Sequence, residues 1–119
     1  MVTTPALQAL AVGLGGAVGA TCRHLVGLAV DGRRSLAVVN TLGSFALGAV
    51  LAAPVNAATA LAAGVGFCGA FTTFSSVAVE TVVTAENDER GVAAGFAVGL
   101  LLAAVAAAVA GSAVGLAVT

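Results

Sequence analysis

Charged side chains are what this sequence has least of: they make up 8% of it, against about 25% in an ordinary soluble domain. So few charges cannot furnish a surface for water when 61% of the residues are hydrophobic. The shortage excludes other classes too. Four basic residues and a net charge of −1 leave no patch to neutralise phosphates, so nucleic acid is not a partner. Trp and Tyr are absent, which removes the usual walls for organic cations. The two cysteines, Cys22 and Cys68, fall in apolar runs and read as small packing residues; with His24, the single histidine, they make no metal cluster. No nucleophile, base and orienting residue converge as an enzyme would need. A basic stretch ahead of the first apolar run is also missing, and that run is too long for a signal sequence, so it is expected to be retained.

What is present is apolar length. A spanning helix needs about 20 mostly apolar residues, and four runs qualify: 7–30, 36–53, 57–84 and 91–118. The chain therefore reads as an all-α integral membrane protein, one four-helix unit over residues 1–119, lying in a lipid bilayer without an extramembrane domain. The connections, 31–35, 54–56 and 85–90, are short enough to make consecutive helices antiparallel neighbours. They also hold most of the charge, in the clusters Asp31/Arg33/Arg34 and Glu86/Asp88/Glu89/Arg90. Arg33, Arg34 and Arg90 share one side of the membrane, and the opposite loop and tails carry no Lys or Arg. The positive-inside rule then favours both termini outside.

The third run is too long. Its 28 residues would make about 42 Å of helix at ~1.5 Å per residue, against a hydrocarbon core of ~30 Å. Its middle, Gly64-Val65-Gly66-Phe67-Cys68-Gly69-Ala70-Phe71-Thr72-Thr73-Phe74-Ser75-Ser76, mixes glycines with hydroxyls at membrane depth. Two readings stand: a broken helix whose freed carbonyls line a cavity, or an intact helix whose glycines serve packing. Gly15/Gly19, Gly95/Gly99 and Gly111/Gly115, each four apart, are expected to bring helix backbones together. Four such helices enclose little interior, so a transport path belongs at an interface between subunits, and at least a dimer is expected.

Polar groups inside spans are functional candidates because lipid leaves them unsatisfied. Arg23 either snorkels to the interface or supplies a fixed positive charge for anions. The amide of Asn40 offers two donors, which suits an anion, or it serves as a cap or interhelical bond. Thr73, Ser76, Glu80 and Thr84, spaced three, four and four, form a polar stripe on one helical face. Phe71 and Phe74 flank it, either as packing or with positive ring edges toward an anion.

Gly15-Gly16-Ala17-Val18-Gly19-Ala20-Thr21-Cys22-Arg23, Val39-Asn40-Thr41-Leu42-Gly43-Ser44-Phe45 and Gly66 to Ser76 resemble, in order and spacing, the three signature segments of the Fluc/CrcB fluoride channels. The resemblance covers the whole four-span layout. It implies a dual-topology-type dimer of antiparallel subunits with a break in the third helix, a structural sodium ion on the axis, and passive export of fluoride across a prokaryotic cell membrane. It further implies that Gly69 and Thr72 give backbone carbonyls to the sodium and that Asn40 bonds fluoride. By the same likeness, Phe74 lines the pore, Ser75 and Ser76 belong to its polar track, and Arg23 sits at an aqueous entrance. Two departures stand out: Val77 occupies the place of a second pore phenylalanine, and the fourth span has no hydroxyl until Ser112. They leave open whether the second subunit is identical or paralogous, and whether this chain is a non-conducting partner. A small multidrug exporter is the other alternative, but it would need a carboxylate in the first span, and none is there.

Overall fold

The computed structural model describes residues 4–119, and among them every regular element is a helix. Helix α1 (Pro5–Ala29) opens on Thr4, whose Oγ1 accepts the Leu7 N–H at 3.3 Å. Pro5 takes the first position, where its missing N–H has no helical partner to lose. Gly32 adopts φ +60° and turns the chain directly into α2 (Gly32–Ala52). Asn56 then caps α3 (57–71) by accepting the Thr59 N–H at 2.8 Å. Within α3 the stretch Ala60–Cys68 is π-helical, with the Gly69 N–H reaching the Gly64 carbonyl five residues back. Thr72 and Thr73 are extended, and α4 (Phe74–Glu86) follows them. A turn with Asp88 at φ +60° leads into α5 (Arg90–Ala117).

Four helical stretches, Pro5–Ala29, Gly32–Ala52, Ala57–Glu86 and Arg90–Ala117, are long and apolar enough to cross a membrane. They overlie the four apolar runs of the sequence. The largest shift is at α2, which begins at Gly32 rather than 36, so Arg33, Arg34 and Ser35 form its first turn instead of a loop. Arginine is a good helix former, and a hydropathy profile ends a run at a charge whether or not the backbone stays helical.

The helices pair as α1 on α3 and α2 on α5, in a molecule 55 Å long and 29 by 24 Å across. Glycines set both seams. A Cβ at Gly15 or Gly19 would run into the carbonyl of Ala62 or Phe67, and one at Gly66 would lie 2.6 Å from the Val12 carbonyl oxygen. At the second seam Gly48 faces the Ala108 carbonyl, while Gly111 and Gly115 face the carbonyls of Phe45 and Ala49. Only missing side chains allow such approach. Gly95 and Gly99 have the same spacing, yet a Cβ on either meets nothing within 4 Å. That part of α5 buries Ala93 and Leu100, and the two glycines lie off this face, so they make no seam within the chain.

Candidate functional site

The site grows from two threonines. Thr72 (φ −82°, ψ 161°) and Thr73 (φ −148°, ψ 114°) are extended, a conformation that suits β-branched residues. Each also secures one flanking helix end. Thr72 Oγ1 donates to the Cys68 carbonyl at 2.9 Å, and Thr73 Oγ1 accepts the Ser76 N–H at 3.2 Å as the N-cap of α4. The glycines at the centre of the motif do not make this junction: Gly64 and Gly66 are buried in the π-helical stretch, and Gly69 is helical at φ −61°, ψ −38°.

Asn40, reaching across from α2, holds the junction from both sides. Its Oδ1 accepts the Thr73 N–H at 2.9 Å and its Nδ2 donates to the Thr73 carbonyl at 3.2 Å. In an unbroken helix the Thr73 N–H would bond the Gly69 carbonyl and the Ser76 N–H that of Thr72. Here both donors are engaged elsewhere, so the carbonyls of Gly69 and Thr72 lose their helical partners. Thr72's receives only a long contact from Arg23 Nη1, at 3.5 Å. Two carbonyl oxygens three residues apart are the kind of donor set that a hard cation takes from unwound backbone. Gly43 packs directly on this point, since a Cβ there would strike the Thr72 methyl group.

Two cavities meet at the junction. A groove of about 980 Å³ lies between α2, the third span and α5, lined by Asn40, Ser44, Gly69, Thr72, Phe74 and Val77 among others. No charged side chain lines it. Phe74 projects from it, 86% exposed. A second cavity of about 410 Å³ is lined by Arg23, His24, Ser35 and Ser76. Thr73, only 6% exposed, belongs to both and separates them.

The structure thus gathers Asn40, Gly69, Thr72, Phe74 and Val77 at the groove and Arg23 and Ser76 at the second cavity. Ser75 lines neither; it is exposed and makes only a 3.5 Å contact to Thr73 Oγ1. The polar stripe divides. Thr73 and Thr84 are buried, whereas Glu80 bonds Arg33 Nε at 3.1 Å, a pair half-open to the surroundings. Phe71 is buried and stacks on Phe67, centroids 5.4 Å apart, and so serves packing. Ser112 donates to its own helix at the Ala108 carbonyl, 2.9 Å away, and from α5 the groove receives Ala97, Leu100, Leu101 and Ala104. Ser44 was not singled out by the sequence reading, although its spacing of four from Asn40 puts it on the same face of α2.

A family model described as CrcB-like protein, Camphor Resistance (CrcB), matches residues 10–112, a stretch that includes every residue of this site. The chain belongs to the CrcB family. This CrcB protein is 56% identical over 91 residues to "Fluoride-specific ion channel FluC 2" of Natronomonas pharaonis, across 75% of its own length and 78% of the relative's. It is 49% identical over 86 residues to FluC 2 of Haloarcula marismortui, covering 70% and 72% of the two chains. A second protein of that organism, FluC 1, is 45% identical over 80 residues, 63% of each chain. Four membrane-length helices and this family membership make the CrcB chain a multi-pass membrane protein.

Proposed function

We infer that this chain is one subunit of a fluoride-specific channel that lets the anion leave the cytoplasm passively, through a path closed by a second, antiparallel subunit. The observation that carries the reading is an open groove with no charged side chain in its lining, where the amide of Asn40, the hydroxyl of Ser44 and the junction residues Gly69 and Thr72 meet, with Phe74 86% exposed. In lipid each unsatisfied polar group costs several kcal/mol, so this face calls for protein. Another copy or a close paralogue has the length to cover it.

Fluoride is small and strongly hydrated, and a pore must replace its water with donors without trapping it. Asn40 keeps a second N–H beyond the one given to Thr73, Ser44 and Ser76 supply hydroxyls, and Phe74 offers ring edges. Ser75, outward on the same turn, would join the path only across the interface. Arg23 stands beside the second cavity, where a fixed positive charge concentrates anions at an entrance. No charged side chain lines the groove, so no side chain of this subunit there would hold a permeating anion too tightly to release it. The carbonyls of Gly69 and Thr72 fit a sodium ion, and two subunits would offer four such oxygens; bound there, the ion would fix two broken helices against each other. The names of the relatives supply the identity of the anion.

Purified protein in liposomes loaded with potassium fluoride tests the reading, with a fluoride electrode following release after valinomycin. Fluoride should leave while chloride stays. Release no faster than from protein-free vesicles overturns the proposal for this chain alone. The same assay with a paralogue then tests a two-gene channel, a reading favoured by Val77 and the hydroxyl-free α5 wall.

A further inference from the structure

Asn40 has more than one task available to its single amide. Its oxygen takes the Thr73 N–H and one of its two N–H bonds takes the Thr73 carbonyl. Both partners are backbone, and both belong to Thr73, the extended residue from which the third span resumes its helix. The contact is also well aimed in register. Seven residues before Asn40, Arg33 bonds Glu80, which lies seven residues after Thr73, so α2 runs antiparallel to α4 with ties two turns apart. Without Asn40 the Thr73 N–H would seek the Gly69 carbonyl, four residues back, and the helix would close over the gap. The Gly69 oxygen would then be consumed.

We propose that Asn40 is a positioning residue for the cation site: by accepting the Thr73 N–H it keeps the Gly69 carbonyl free, and by holding the Thr73 carbonyl it fixes the turn in which Thr73 Oγ1 takes the Ser76 N–H and leaves the Thr72 carbonyl only its long contact from Arg23. It does not itself touch that ion. The second N–H of the same amide remains for the permeating anion, so one side chain links the cation site to the pore. This rests on the channel reading above, and a fluoride-independent measurement separates the two.

The measurement is thermal unfolding of the purified protein in detergent, in sodium chloride against N-methylglucamine chloride at equal ionic strength. Wild type should unfold at a higher temperature in sodium, with a saturable sodium dependence. In Asn40→Ala and Asn40→Leu the gap between the two salts should close or its half-saturation rise by about tenfold or more, the usual cost of losing an orienting neighbour of a metal ligand. A packing defect alone would lower the midpoint equally in both salts and leave the gap intact. Asn40→Asp keeps an oxygen for the Thr73 N–H but loses the donor to the Thr73 carbonyl, so its sodium gap should fall between those of wild type and Asn40→Ala, while fluoride release is lost. A sodium half-saturation unchanged in both Asn40→Ala and Asn40→Leu overturns the positioning role and leaves the channel reading standing. Wild type with no sodium-specific gap overturns the cation site and this proposal together, while fluoride release from the same preparation continues to decide the channel.

Discussion

Two glycines of the groove, Gly43 and Gly69, differ in what an added side chain would meet. At Gly43 a single methyl group would collide with the Thr72 side chain. Gly43→Ala must therefore move the junction or α2, at a cost of about 1–3 kcal/mol as for other overpacked sites. Its unfolding temperature and its fluoride release should both fall. At Gly69 an added Cβ meets nothing within 4 Å and the backbone is helical, so Gly69→Val should leave the isolated fold almost as stable, apart from a small propensity effect. Loss of fluoride release in this variant, with a reduced sodium-dependent gain in unfolding temperature, is the expected outcome and would place another chain and the cation against this point. Release at the wild-type rate would show that nothing approaches Gly69. Polar candidates such as Asn40 and Arg23 were legible in the sequence because lipid makes them conspicuous. The partner of Asn40 was not, since a bond between residues 33 positions apart depends on how two helices slide past each other, which composition does not encode. For the same reason the sequence drew attention to the glycines of the third span, although the threonines make the junction.

At the scale of helices, glycine spacing says that backbones can approach but not whether they do. Gly15/Gly19 and Gly111/Gly115 lie in seams, while Gly95/Gly99 do not, and nothing in the local sequence distinguishes them. The distinction comes from which face of α5 meets α2 and α4. Gly111→Val should break the α2–α5 seam by driving a side chain into the Phe45 carbonyl, lowering the unfolding temperature markedly and favouring aggregation. Gly99→Val should leave unfolding of the purified protein unchanged. Equal destabilisation by the two would mean that the seams contribute no more than any exposed helical position, and thermal scans of both variants in one detergent decide it. The helices themselves were legible because about 20 apolar residues in a row have few alternatives. Their ends were less so, most of all at Arg33 and Arg34, where charge hides a helical backbone.

Every one of the nine acidic and basic side chains lies in residues 23–34 or 80–90. With α2 antiparallel to α4, tied by Arg33 and Glu80, both segments sit toward the same end of the molecule. The end that carries the 53–56 turn has none. The three arginines at the ends of the spans, Arg33, Arg34 and Arg90, are thus on one side, and acidic residues count little in the positive-inside rule, so the chain is expected to insert in one orientation, with this end in the cytoplasm. An antiparallel partner with the opposite orientation would then be a different chain. Single cysteines report the orientation once Cys22 and Cys68 are replaced by alanine. Ser35 is unsuitable as a site because it lies half-buried in the first turn of α2, and Asn56 is occupied as a cap. Asp31→Cys and Val55→Cys are both exposed positions at opposite ends. In intact cells an impermeant maleimide should label Val55→Cys and spare Asp31→Cys until the membrane is opened. Comparable labelling of both from outside would establish insertion in two orientations, and the channel would then be assembled from copies of this one chain.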